Sequence, residues 1–169
     1  MKIRDRIVEL VRVPASELVP NPKNWRTHPT AQADALKGVL AEVGIADAVI
    51  ARRLEDGQLM LLDGHLRTET LGDQLVPVLV LDVDEAEGDK ILATLDPLAA
   101  LAETNAANLD ALLRNVDTGN EALSQMLADL ADAAGLYQNE AKDAPEEFPE
   151  VDENIETEHE CPKCGYRWS

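Results

Sequence analysis

The sequence is poor in aromatic residues, in cysteine and in unbroken apolar runs, and each shortage closes off a class of protein. Aromatics make up 3% of the 169 residues, so the core has to be built from Leu, Val, Ile and Ala, which suits helices packed on a small sheet better than an aromatic-rich β-sandwich. The two cysteines, Cys161 and Cys164, both fall in the last nine residues. They make no disulfide framework, and their CxxC spacing points to metal or redox chemistry. No run approaches the roughly 18 apolar residues of a membrane span, and the opening MKIRDRIVELVRV is too charged for the apolar region of a signal peptide. A cytoplasmic protein with no membrane partner is expected.

Positive charge is scarce in one half only. Residues 1–80 carry 10 Lys/Arg against 11 Asp/Glu, whereas residues 81–169 carry 5 against 22, so nearly all of the net −18 belongs to the second half. A uniform charge of that size would repel nucleic-acid phosphates, but a near-neutral N-terminal half with its own arginines leaves DNA open as a partner.

What is present is enough apolar material, 45% of the residues, for one ordinary core with appendages. The opening RIVELVRV reads as a strand, followed by a short turn at residues 16–18 and a loop punctuated by Pro20, Pro22 and Pro29. From Thr30 the apolar positions Ala35, Leu36, Val39, Leu40 and Val43 recur at helical spacing and stop at Gly44. AVIARRL and QLMLLD flank Glu55-Asp56-Gly57, a turn of the kind that closes hairpins. RTETLGDQ is a short helix and PVLVLDV a strand-length apolar run. This is a small α/β domain over residues 1–84.

From Glu85 the pattern changes to Ala/Leu-rich helices, EAEGDKILATLD, NLDALLRNV and EALSQMLADLADAAG, with Asp96-Pro97 and Thr118-Gly119 as breakers. Residues 85–137 therefore read as an acidic, all-helical extension, packed as a lid or bundle or used in protein pairing. Residues 138–158 are acidic, carry two prolines and show little apolar periodicity. They read as a solvated linker, with mimicry of nucleic acid as the alternative. Residues 159–169 hold His159, Cys161 and Cys164, which resemble one knuckle of a zinc ribbon. Four ligands are needed for a closed Zn²⁺ site and the tail offers at most three, so the ion would be shared between two chains, making a homodimer, or the motif is a vestige.

One junction stands out. In LLDGHLRTE an apolar strand runs into Asp63, Gly64, His65 and Arg67 and then into a helix, whose start offers backbone N–H groups to an anion. A glycine allows close approach of the backbone, and an arginine supplies a permanently charged, forked donor. The opposing interpretation is that His65 and Arg67 only cap and salt-bridge the sheet.

Three segments in order, Leu18-Val19-Pro20-Asn21-Pro22-Lys23-Asn24-Trp25-Arg26, the step Val43-Gly44-Ile45 before a strand, and Asp63-Gly64-His65-Leu66-Arg67, resemble the ParB/sulfiredoxin superfamily over residues 7 to about 83. The resemblance implies an α/β (α+β) fold with a small mixed sheet and helices. It also implies a nucleotide-phosphate site at Gly64, His65, Arg67 and Thr68 with Asn24, Arg26 and Asp63, taking a nucleoside triphosphate with Mg²⁺. Asp63 and His65 would hold the divalent ion or move a proton. Sulfiredoxins place a cysteine where this chain has His65, so sulfinic-acid reduction is excluded. Segregating ParB proteins carry a second arginine where Leu66 stands, and Gln-Pro where Asp47-Ala48 stands.

The extension after Val83 resembles ParB-like proteins of phages and mobile elements, often fused to or encoded beside DNA methyltransferases. The resemblance implies DNA contact through residues 1–84, and a methyltransferase or other phage enzyme as partner. A small-molecule phosphotransferase or nucleotidase, and a non-catalytic module that docks a partner enzyme, are the competing functions.

Overall fold

The structure, a computed structural model, describes residues 3–137 and 159–168. The chain separates into two compact units, Met1–Tyr137 and Gln138–Ser169.

In the first unit the apolar run LVPVLVL forms β4 (Leu75–Leu81) and takes an inner place in a four-stranded sheet of order β1-β4-β2-β3, with β1 at Ile7–Pro14, β2 at Val49–Arg53 and β3 at Leu59–Asp63. β1 lies antiparallel to β4, β4 parallel to β2, and β2 antiparallel to β3. Val78 faces Val11 on one neighbour and Val49 on the other. Val76, Val78 and Val80 are buried with Val49, Ala51, Leu59, Leu61, Leu71, Ala15 and Leu18 in one aliphatic core. At roughly 1.5–3 kcal/mol per buried Val or Leu side chain, that cluster is the main favourable term for the sheet. The Asp-Gly turn closes the β2–β3 hairpin as expected: Gly57 has φ +87 and Asp56 accepts the Gln58 N–H at 3.0 Å.

Among the described residues a short 3-10 turn (Ala15–Glu17) and five α-helices complete the α+β fold: α1 (Thr30–Glu42), α2 (His65–Leu71), α3 (Glu85–Ala100), α4 (Ala106–Leu113) and α5 (Glu121–Ala133). α1 stops where Gly44 turns left-handed at φ +91. α3 opens on a capping box in which Asp84 and Glu87 satisfy each other's backbone N–H. Asn105 and Asn120 cap α4 and α5. α5 packs closely on α1, since a Cβ on Gly38 would lie 2.6 Å from Asn120 Cγ.

One expected boundary is corrected. Asp96-Pro97 does not break the helix, because α3 continues through Pro97 to Ala100. Pro97 lies in the last turn, where it removes a single ladder bond, and the Leu101 N–H still reaches the Pro97 carbonyl at 3.1 Å. α2 also starts two residues before the expected RTETLGDQ segment, directly after Gly64.

In the second unit β5 (His159–Glu160) and β6 (Arg167–Trp168) pair antiparallel around the Cys161–Cys164 turn. The acidic segment 138–158 lies outside the described residues. No helix among the described residues is long and apolar enough to cross a membrane.

Candidate functional site

β3 delivers Asp63 to the sheet edge, and the chain then turns through Gly64 into α2. Gly64 has φ +93, and a Cβ there would lie 2.5 Å from Val49 Cγ1. Glycine is therefore required by the close crossing of β2, whatever binds nearby. The turn carries Arg67 back over Asp63, one helical turn away. Its Nη2 bonds Asp63 Oδ2 at 2.7 Å, and its Nη1 pairs with the Asp47 carboxylate. Its Nε is buried and has no hydrogen-bond partner among the described residues.

The Pro-rich loop supplies the second cation. Arg26 Nε lies 2.8 Å from Asp96 Oδ2 on α3, and its guanidinium sits over the Trp25 ring at 5.2 Å. Trp25 Nε1 donates to the Leu92 carbonyl at 3.3 Å, and Lys23 Nζ reaches Glu85 and Asp89 at 2.7 Å each. Residues 85, 89, 92 and 96 recur at i+3 and i+4 spacing, so one stripe of α3 clasps the loop from Lys23 to Arg26. Hydrogen bonds to Asp89 and Glu85 raise the Lys23 ammonium above its ordinary pKa. Asn24 Oδ1 accepts the Arg26 N–H at 3.2 Å and shapes the loop.

His65 is buried, and its Nε2 accepts the Asn21 N–H at 3.2 Å. That bond requires an unprotonated Nε2 and assigns the proton to Nδ1. Burial pushes the imidazole below its ordinary pKa, opposed by the nearby Asp63 and Glu69 carboxylates. Thr68 is also buried, and its hydroxyl donates to the His65 carbonyl at 2.8 Å.

These elements enclose a cavity of about 430 Å³. Asp63, Gly64, His65 and Arg67 line one side, and Asn24, Arg26, His28 and Gln32 the loop side. Leu36 and Val39 of α1, Leu92 and Leu95 of α3 and Met126 of α5 form an apolar wall, with Asp96 at its rim. Six of the seven expected site residues thus come together, while Thr68 does not line the cavity. An apolar wall beside two arginines suits an organic anion, with its ring on the wall and its charge toward the cations.

In the tail, the Cys161 N–H donates to the Tyr166 carbonyl at 2.7 Å and the Gly165 N–H to the Cys161 carbonyl at 2.9 Å. Backbone N–H groups of Lys163 and Cys164 bond the Cys161 sulfur and lower its thiol pKa. Among the described residues no three His, Cys, Asp or Glu side chains gather into a metal cluster.

In a comparison with solved structures, the C-terminally truncated chromosome-partitioning protein ParB from Caulobacter crescentus, complexed with CTP-γ-S, is similar at TM-score 0.53 and 20% identity, over 71% of each chain. The chain has a ParB-like fold. Two further likenesses are the same Caulobacter ParB complexed to the centromeric parS site (TM-score 0.42, 18% identity, 74% of this chain and 70% of that one) and a Pnob8-like ParB-N domain (TM-score 0.43, 20% identity, 89% and 56%). No family model and no curated protein matches the sequence.

Within this ParB-like unit, sequence reasoning missed Asp47, Asp96 and the whole apolar wall. Asp47 follows the Gly44-Ile45 step, and its place there was visible only as a departure from the ParB pattern. Asp96 gave no signal, since next to Pro97 it reads as a helix end.

Proposed function

We propose that the chain binds a nucleoside triphosphate with Mg²⁺ in this cavity and acts as a nucleotide-dependent accessory protein in DNA transactions of a phage or mobile element, linked to DNA modification. The observation that carries the binding claim is Arg67, whose buried Nε lacks an acceptor among the described residues. A buried donor left unmade costs about 1–3 kcal/mol. A phosphate oxygen is the acceptor a guanidinium edge fits best, through Nε and Nη together.

The charge balance argues for the metal. Arg67 and Arg26 face Asp63, Asp47 and Asp96, so the arginines are already neutralised and a bare triphosphate gains little. Mg²⁺ prefers oxygen donors and brings its own positive charge to the phosphates. Asp63 and Asp96 are the carboxylates that line the cavity and could hold it. His65 is engaged at Nε2 by Asn21, so its role is to fix the loop that carries Asn24 and Arg26, while Nδ1–H remains the only ring group that can face a ligand.

The Caulobacter protein of similar fold was solved with a CTP analogue and is a chromosome-partitioning protein, which supports both the nucleotide and the DNA association. DNA would contact residues 1–84, a segment with 10 Lys/Arg against 13 Asp/Glu and so far less acidic than the rest of the chain. The link to a DNA methyltransferase rests on the resemblance of the helical extension. Equilibrium titration with each of the four common ribonucleoside triphosphates tests the proposal, with Mg²⁺ and with chelator, while inorganic phosphate release is followed without DNA. Metal-dependent binding of at least one triphosphate is expected. Binding of none would overturn the reading, and turnover without DNA would favour the phosphotransferase instead.

A further inference from the structure

The cavity is divided by polarity. Arg67 and Arg26, with Asp63, Asp47 and Asp96 against them, make part of its wall ionic, whereas His28 and Gln32 add hydrogen-bonding groups, and Leu36 and Val39 an apolar surface. Gln32, Leu36 and Val39 stand at i, i+4 and i+7 on α1, so they form one stripe along the helix. A flat ring laid on Leu36 and Val39 meets the amide of Gln32 one turn nearer the helix start.

His28 and Gln32 are joined in a fixed polarity. Nδ1 of His28 lies 3.1 Å from Oε1 of Gln32. An amide oxygen only accepts, so Nδ1 carries the proton, and in the neutral ring Nε2 keeps its lone pair. What remains for a ligand is an acceptor on His28 beside the amide N–H donors of Gln32, and neither has another partner among the described residues. His28 is half-buried and Gln32 exposed, which leaves both open to the cavity they line.

Base edges present the complementary pattern. Cytosine and adenine show an amino donor beside a ring-nitrogen acceptor, whereas uracil and guanine show a carbonyl acceptor beside a ring N–H. A donor and an acceptor held in one order pair with one of these classes and leave the other with unmade bonds, the loss that makes a hydrogen-bonding site selective. Given the nucleotide reading of the cavity, on which this assignment rests, we infer that His28 and Gln32 read the Watson–Crick edge of the base and separate amino from keto bases. Arg67 holds the phosphates, and the His28–Gln32 pair adds little to their binding.

The test is calorimetric titration with Mg²⁺ of cytidine against uridine triphosphate, which share their phosphates and differ in that order of donor and acceptor. Adenosine against guanosine triphosphate is the purine counterpart, and tripolyphosphate is the ligand without a base. Wild type, His28→Ala and Gln32→Met are compared; methionine keeps the side-chain length and removes both donors. Within the pair that binds, the wild-type affinities should differ by about 2- to 10-fold, the range of one neutral hydrogen bond. That ratio should fall toward one in both variants while tripolyphosphate binds all three proteins equally. Equal wild-type affinities within both pairs, a ratio that neither substitution changes, or a parallel loss of tripolyphosphate, the mark of a pair that only shapes the loop, would overturn the assignment and leave nucleotide binding standing. Binding of none of the four nucleotides would overturn the nucleotide reading and the assignment with it.

Discussion

Replacing His65 separates its part in the fold from any part in chemistry. The imidazole is 7% exposed, and its Nε2 takes the N–H of Asn21, itself 5% exposed, where the Pro-rich loop begins. His65→Leu keeps the apolar volume but leaves the Asn21 N–H without an acceptor, a loss of about 1–3 kcal/mol. For a chain of this size each kcal/mol moves Tm by about 2–4 °C, so a fall of roughly 2–12 °C is expected. His65→Gln places an amide oxygen near the position of Nε2 and should recover most of that loss. It should also remove a pH dependence. Burial holds the folded-state pKa of His65 below the ordinary 6.5, so the unfolded chain takes up the proton first as pH falls. The stability contributed by the neutral ring is complete above about pH 6.5 and is lost as pH drops through the folded-state value. Urea melts of the three proteins between pH 7.5 and 5 measure both effects. If His65→Leu were no less stable than His65→Gln at pH 7.5, or if the wild type gained stability relative to His65→Gln on acidification, the assigned acceptor role would be refuted.

Asp47→Asn should tighten triphosphate binding by about 1.5- to 5-fold, the equivalent of the roughly 0.2–1 kcal/mol of an exposed pair, because Asp47 competes for Arg67 with a side chain 70% exposed; calorimetry with and without Mg²⁺ checks the sign. Gly64→Ala should destabilise by about 2–5 kcal/mol in denaturant melts, combining left-handed strain with overpacking against Val49. Pro97→Ala should stabilise by about 1–3 kcal/mol, since the helix runs through that position and regains a ladder bond; a lower melting temperature would mean that α3 ends earlier.

The signals that were legible in the sequence are local ones. Gly44, Asp56-Gly57 and the strand-to-helix step at Gly64 each impose a backbone event on their immediate neighbours, and each occurs where the residues place it. Pro97 misled because a proline states what bond is lost, while its cost depends on how near the helix end it falls. The site was half legible. Arg67 and Arg26 stood out as cations near expected turns, but their partners Asp47, Asp63 and Asp96 come from three different elements, a pairing that only packing creates. The acidic helical extension carries no mark of its partners in the sequence, yet Glu85, Asp89 and Asp96 grip Lys23 and Arg26. The apolar wall was hidden for the same reason. Leu36, Val39, Leu92, Leu95 and Met126 look like ordinary core positions of three helices until those helices come to line one cavity.

Calorimetric titration of the wild type, Arg67→Ala and Arg67→Lys with Mg²⁺ and the triphosphate that binds best tests the central claim most directly. The account predicts that Arg67→Ala weakens binding by about 10- to 150-fold, the equivalent of roughly 1.5–3 kcal/mol for a hydrogen bond to a charged group. Arg67→Lys should recover only part of it, because an ammonium keeps the charge and lacks the Nε edge. Equal affinities for all three proteins would contradict the account.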